Sequence, residues 1–287
     1  MPRPVLLVVN RSKPDAAAAA GEVRALIEKS GRLVAEREAT ADERQMPPAE
    51  LVVVLGGDGT LLSQSRRLVG LDTPVLGVNF GKLGFMAEFD MASLRRHAAG
   101  LFGAGELRVR QLPLLDVVVE GSSGVMRCEG LCLNEAVVTS GPPYRMITLA
   151  LSIDGNAGPE ISGDGLIVCT PQGSTAYNLS AGGPIVAPGV EAMIITPIAA
   201  HTLSFRPIAV PLSAAIELEV LRANSPASGQ GTTLVLDGQV QHLLERGDRI
   251  RVARDAHTVR FVQNPDQVYW TTLAQKLHWG ASPLARE

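Results

Sequence analysis

Hydrophobic residues are laid out in two different textures along this chain. In its first third, short runs that are apolar throughout alternate with longer stretches whose apolar positions recur at helical spacing. Pro4–Val9 and Leu51–Leu55 are such runs and read as strands buried in a sheet, and Leu33–Arg37 and Pro74–Val78 read as further strands. Between them, Ser12 with Pro14 opens an alanine-rich helix that reaches Lys29, and Gly31 ends it. A Pro47-Pro48 break precedes the third strand. A second helix follows Thr60 and ends near Gly70, and a third spans Asp90–Leu101, with Gly100 and Gly103 at its end. Alternation of this kind predicts an α/β domain with a doubly wound parallel sheet.

Near Glu106 the texture changes. Leu114–Glu120, Leu131–Thr139, Met146–Ile153, Leu166–Cys169, Ala192–Pro197, Ile216–Leu221, Thr233–Leu236, Arg249–Val252 and Thr258–Val262 follow one another with no helix between them. Glycine and proline punctuate them at the spacing of an all-β, sandwich-like domain. Asn264-Pro265 closes that region. Asp266–Trp279 then reads as an amphipathic helix, with Val268, Trp270, Leu273, Leu277 and Trp279 on its apolar face. The expected domains are therefore 1–105 and 106–265, with 266–287 packing back on the first.

Composition narrows the class of protein. The chain has 287 residues and a formal net charge of −3, so it offers no basic field for nucleic acid. No apolar run approaches the roughly 18 residues of a membrane span, and Met1-Pro2-Arg3-Pro4-Val5 offers no signal-peptide cleavage region. Cys128, Cys132 and Cys169 follow neither zinc spacing nor a disulfide framework, and the five histidines form no HExxH cluster. Reduced thiols in a cytoplasmic protein, with no protein-held metal, are expected.

Candidate chemistry concentrates first at Leu51–Thr60, LVVVLGGDGT. Ligands of open α/β sheets bind at the carboxyl ends of the strands, and Gly56, Gly57 and Gly59 let backbone N–H groups approach phosphate oxygens. Asp58 is out of place in a phosphate nest unless it has a task, such as taking the proton of a hydroxyl that attacks phosphorus. A plain strand-to-helix turn, with Asp58 bonding local amides and Thr60 capping the helix, is the alternative. Leu62 stands where GxGxxG needs its last glycine. In Gly77–Leu83 the two glycines are one residue too close for a P-loop, and Leu83 replaces its Ser or Thr. Gly81-Lys82-Leu83-Gly84-Phe85 follows the fourth strand, again at a carboxyl end, as a loop or a simple turn.

In the β region, Asn134-Glu135 interrupts the apolar run LCLNEAVV. Neighbours in a strand face opposite ways, so one of the two turns inward, to meet either a ligand or an internal salt bridge. Gly163–Ala187 contains Asp164, a strand, and then a loop in which Thr175, Tyr177, Asn178 and Ser180 either line a polar pocket or satisfy an ordinary hairpin. GxSxG is absent, which excludes a hydrolase elbow. Asp237-Gly238-Gln239 reads as a hairpin turn, and Arg145 as a solvated charge.

GGDGT after a buried strand, then GKLGF, LNEAVV, GDGLIVCTPQGSTAYNLSAGGPIV, HTLSFRPIAVP and LDGQ, in this order, closely resemble the bacterial NAD kinases. The resemblance runs from about residue 5 to residue 265, and the STAYNLSAGGP block with the NE pair is its most specific part. It implies a site in a cleft between an N-terminal phosphate-donor domain and a C-terminal NAD-binding domain. It also implies phosphorylation of the adenosine-ribose 2′-hydroxyl of NAD by ATP or another donor, with donor-bound magnesium, in a homodimer or homotetramer. By motif position Asp58 is the proton acceptor, Gly56, Gly57, Gly59 and Thr60 form the phosphate loop, and Phe85 lies beside it. Asn134 and Glu135 contact the nucleotide, Thr175, Ala176, Tyr177, Asn178 and Ser180 enclose it, and Arg145, Asp164 and Gln239 add contacts. Ser162 stands where many relatives carry arginine, Gln172 where Ser or Thr is common, and Lys82 in a slot that varies. A lipid or sphingoid-base kinase sharing GGDGT, and a non-catalytic dinucleotide sensor, are the rival readings.

Overall fold

A computed structural model describes residues 2–40, 46–81, 84–225 and 230–280. Lys82, and positions 281–287 of the returning segment, lie outside them. The chain divides into two compact units. One comprises the residues up to Gln111 together with those from Val259 onward, and the other is Leu112–Thr258.

In the first unit, strands β1 (Pro4–Val9), β2 (Arg32–Glu38), β3 (Leu51–Leu55) and β4 (Val75–Val78) form a parallel sheet in the order β2-β1-β3-β4. Helices α1 (Pro14–Ser30), α2 (Asp58–Arg67) and α3 (Met91–Phe102) connect and cover it. All of β3 and β4 is buried, as their unbroken apolar runs require. Val5, Leu7, Val9, Val53 and Leu55 share one core with Val23 and Ile27 of α1 and Leu94 and Phe102 of α3. The order of connection reverses between β1 and β3, which makes that gap the switch point of the sheet.

Helix starts differ from expectation in instructive ways. Lys13, not Ser12, stands at the start of α1, because the Ser12 hydroxyl is spent on Asn10 Oδ1 at 2.5 Å. Helix α2 begins at Asp58 rather than after Thr60, because Gly57, at φ +124°, makes the turn from strand to helix by itself. Thr60 caps nothing; its hydroxyl accepts from Asn10 Nδ2 at 2.9 Å. Asp90 caps α3 through a reciprocal pair with Ser93.

The second unit is made of two antiparallel sheets. Its strands are β5 (Val109–Glu120), β6 (Met126–Cys132), β7 (Glu135–Thr139), β8 (Ile147–Ile153), β9 (Asn156–Gly163), β10 (Gly165–Cys169), β11 (Ala192–Ile198), β12 (Ile208–Pro211), β13 (Ile216–Arg222), β14 (Thr233–Leu236), β15 (Val240–Leu243) and β16 (Arg249–Val262), with the first residues of β5 and the last of β16 counted in the first unit. A one-turn helix, α4 (Tyr177–Ser180), lies in the loop after β10. One sheet pairs β9, β8, β13 and β16, with β5 beside β16 and β6 beside β5; the other runs β12-β11-β10-β7-β14-β15. Leu149, Leu218, Val220 and Ile250 of the first meet Val138, Val168, Ile195 and Leu234 of the second in a single core, which makes a sandwich. The far side of β7 and β10 is covered too, where Val137, Ile167 and Cys169 pack with Ala181 and Val186.

The apolar run Leu131–Thr139 is not one strand: β6 ends at Cys132, the chain bends, and β7 starts at Glu135. Arg249–Val252 and Thr258–Val262 are the two ends of the single strand β16, whose polar middle hid its continuity. The last helix, α5 (Tyr269–Leu277), is shorter than Asp266–Trp279. It belongs to the first unit, where Tyr269 lies 6.3 Å from the Phe85 ring and Lys276 sits 4.8 Å over that ring.

Candidate active site

Asp58 is held where β3 gives way to α2. Its Oδ2 accepts the Phe85 N–H at 3.0 Å, and Oδ1 accepts those of Met86 at 3.3 Å and Ala87 at 2.9 Å. Those amides converge because the loop after β4 doubles back. Gly84 N–H bonds the Ala87 carbonyl, and Phe89 then bridges to Val78. A Cβ on Gly84 would lie 1.9 Å from Asp58 Oδ1, so the loop can close over the carboxylate only with glycine there. Phe85 thus serves Asp58 through its backbone, while its ring faces α5.

Three side chains that sequence reasoning passed over surround the same turn. Lys13 Nζ donates to the Gly56 carbonyl at 2.7 Å, Asn10 Nδ2 to Thr60 Oγ1 at 2.9 Å, and Asn79 Oδ1 accepts the Phe80 N–H at 3.0 Å. Lys13 Nζ and Asn79 Oδ1 lie 3.1 and 3.3 Å from where a Gly57 Cβ would stand. Asn10 follows β1 directly and Asn79 follows β4, so the rule that ligands gather at carboxyl ends of parallel strands was the signal that could have found them. Among the described residues, no group of three or more His, Cys, Asp or Glu side chains is placed to hold a metal.

In the second unit the bend before β7 carries the NE pair. Asp237, itself buried, accepts the N–H groups of Leu133 at 3.0 Å, Asn134 at 2.8 Å and Glu135 at 3.1 Å. Thr170 braces the bend from β10, its N–H on the Asn134 carbonyl at 2.9 Å and its hydroxyl on the Leu133 carbonyl at 2.6 Å. Gly173 crosses so near that a Cβ would lie 2.2 Å from the Asn134 oxygen. Asn134 Oδ1 and Glu135 Oε2 are buried with no hydrogen-bond partner among the described residues. Burial, and next the charge of Asp237, push the Glu135 carboxyl up to about 7, against the opposing pull of the Tyr177 N–H. Burial, and then Glu135, push the neighbouring Cys169 thiol up as well.

The small-residue loop divides its polar groups between two tasks. Asn178 is fully buried and spends both ends of its amide inside the protein, on the Ser174 and Pro184 carbonyls at 3.0 Å each and on Thr196 Oγ1 at 2.6 Å. It shapes the loop. Thr175 and Ala176 are half-buried, and Tyr177 and Ser180 exposed, so these four keep surface open to a ligand. Gln239 is exposed in the β14–β15 turn, next to Asp237.

Arg145 and Asp164 do not join this cluster. Asp164 precedes Gly165, which pairs with Thr139, whereas Glu135 pairs with Cys169. Four residues of strand, about 14 Å, therefore separate the two ends of β7. Arg145 and Asp164 share the Thr139 end. The Asp164 carbonyl accepts from Ser140, and Asn224 Nδ2 bonds the carbonyls of both Ser140 and Arg145. Ser162 is tied to Thr148, hydroxyl to hydroxyl, at 2.9 Å.

Comparison with known proteins bears on both units. Residues 10–106 match the ATP-NAD kinase N-terminal domain and residues 133–264 the ATP-NAD kinase C-terminal domain. The chain is similar to an NAD kinase of Syntrophotalea carbinolica, with 37% identity over 89% of this chain and 87% of that one. It is also similar to one of Desulforamulus reducens, with 36% identity over 94% and 96%. Among solved structures, yeast NADH kinase complexed with NADH superposes with a TM-score of 0.84 at 22% identity, over 100% of this chain and 90% of the other, a likeness of fold alone. An NAD kinase from Archaeoglobus fulgidus in complex with ATP gives 0.73 at 25% identity, over 96% and 98%.

Proposed function

The chain belongs to the NAD kinase family, a family of phosphotransferases, and from that premise we propose that Asp58 is the base through which it makes NADP from NAD. The lipid-kinase and sensor readings give way to this one. The observation that carries the assignment is the state of the Asp58 carboxylate. Oδ1 receives two amide N–H groups and Oδ2 only one, so Oδ2 keeps a lone pair for an incoming proton. The adenosine-ribose 2′-oxygen forms a bond to the donor's terminal phosphorus while its proton passes to Asp58 Oδ2. The bond from that phosphorus to the donor's bridging oxygen breaks, and the oxygen leaves with the electron pair.

The turn at Gly56, Gly57, Gly59 and Thr60 holds the donor's phosphates, and Lys13 adds a cation beside it. One ammonium proton of Lys13 lies on Gly56; the other two are available to phosphate. The turn offers amides and an ammonium with a single carboxylate, so magnesium would be held by the donor's own phosphates and would supply neutralisation of charge on the transferring group. Asn134, Glu135 and the surface of Thr175, Ala176, Tyr177 and Ser180 bind the dinucleotide, and the orphaned Asn134 Oδ1 and Glu135 Oε2 are the acceptors a nucleoside would satisfy. Gln239 contributes from the turn beside Asp237, Arg145 and Asp164 at greater distance, and Asn178 by shaping the loop. The three free thiols fit a reducing cytoplasm. Exposed Leu203 and Ile208 support assembly into a homodimer or homotetramer.

Asp58→Asn is the test. Its oxygen remains on Met86 and Ala87 while an amide nitrogen replaces the base, so turnover should fall about a thousandfold with NAD dissociation constant within about tenfold. Turnover near that of the parent protein would remove Asp58 from the mechanism.

A further inference from the structure

Asp237 is ordinary in sequence and unusual in place. In Leu236-Asp237-Gly238-Gln239 the Gln239 N–H returns to the Leu236 carbonyl, and Asp237 and Gly238 have φ of +51° and +66°, the conformation of an Asp-Gly hairpin turn. A turn needs no buried carboxylate, and aspartates in turns are usually solvated. This one is 5% exposed and collects three consecutive amides, Leu133, Asn134 and Glu135, from the bend between β6 and β7. Its own N–H returns to the Glu135 carbonyl at 2.9 Å. Four hydrogen bonds thus fix one bend, at the point where the apolar run breaks and the two orphaned acceptors emerge.

We infer that Asp237 is a positioning residue for the dinucleotide, acting through the Asn134–Glu135 bend whose amides its carboxylate gathers. The inference rests on the proposed role of that bend in binding NAD. Without the anion, three adjacent N–H dipoles would repel one another and lose their common acceptor, and the bend would open into alternative conformations. Asn134 and Glu135 would then be ordered only at the expense of NAD affinity. Asp237 has no part in the phosphoryl step. Its loss should be felt in KM for NAD and not in kcat. The charge also reaches Glu135, whose other neighbours are Cys169 on β10 and the Tyr177 N–H, and it holds that carboxyl toward its neutral form.

The experiment compares Asp237→Ala, Asp237→Asn and Asn134→Ala with the parent protein, measuring KM for NAD, KM for ATP, kcat and thermal midpoint. Asp237→Ala should raise KM for NAD about tenfold or more, with kcat at saturating NAD and KM for ATP within about threefold. Asp237→Asn keeps an oxygen for the Asn134 and Glu135 amides while giving up the Leu133 bond, so it should recover most of the affinity. If Asp237→Ala does not fold, KM for NAD in Asp237→Asn decides, a rise of twofold to tenfold supporting the inference and an unchanged value overturning it. Should Asn134→Ala weaken NAD while a folded Asp237→Ala does not, Asp237 is merely a turn residue and the NAD site stands. If Asn134→Ala leaves KM for NAD unchanged, the site fails and the inference with it. A parallel fall in kcat and rise in both KM values for Asp237→Ala would mark general disorder and overturn positioning.

Discussion

Glu135 shows how one residue's surroundings can set a measurable property of the fold. Its carboxyl titrates at about 7 in the folded chain against 4.5 in the open chain, with burial the larger cause and Asp237 the lesser. The folded state therefore holds this proton over a pH range where the unfolded state has released it. Stability through this group is greatest below about pH 4.5 and falls as pH rises through 7, by about 3 kcal/mol in all. Glu135→Gln has no proton to lose, so the parent-minus-variant difference in unfolding free energy should fall by that order between pH 4.5 and 8. Urea titrations across the range would measure it, and parallel pH slopes for the two proteins would contradict the assignment.

At the scale of elements, the site is built where strands stop. β1, β3 and β4 end at Val9, Leu55 and Val78, and the residues just beyond them (Asn10 and Lys13, the GGDGT turn, Asn79 and the loop to Phe89) meet around Asp58. That loop closes only because Gly84 has no side chain. Gly84→Ala puts a methyl group 1.9 Å from Asp58 Oδ1, so either the carboxylate or the Phe85–Ala87 amides must move. A displacement near 1 Å at a reacting group costs about a hundredfold in turnover. Steady-state kinetics of Gly84→Ala should show that loss with NAD affinity retained; a fully active variant would mean that the loop holds Asp58 less tightly than the contacts indicate.

For the molecule as a whole, the edges of the second unit matter most. β12 is an edge strand, and Ile208 on it and Leu203 before it are exposed apolar residues that a lone chain would leave in water. Sedimentation velocity should therefore return a particle of two or four chains at micromolar concentration. A particle of one chain at every concentration tested would refute the proposed assembly.

What the sequence determined by itself is the part governed by local rules. Runs apolar on both faces became buried strands with almost the expected bounds, as in Leu51–Leu55, and α1 and α3 began and ended at proline, glycine or a capping aspartate. Three strands, β9, β12 and β15, left no usable trace, and β6 only its last two residues. Each lies at a sheet edge; in β6, β9 and β15 polar and small residues suffice there because one side faces water, and β12 is only four residues long. Motifs named Asp58, Asn134 and Glu135 because their chemistry is unusual for their position. Lys13, Asn10 and Asp237 were invisible as partners because they reach the same turns from 43, 50 and about a hundred residues away. Tertiary structure alone decided those meetings, since hydrogen-bond partners are chosen by distance in space and a sequence records only distance along the chain.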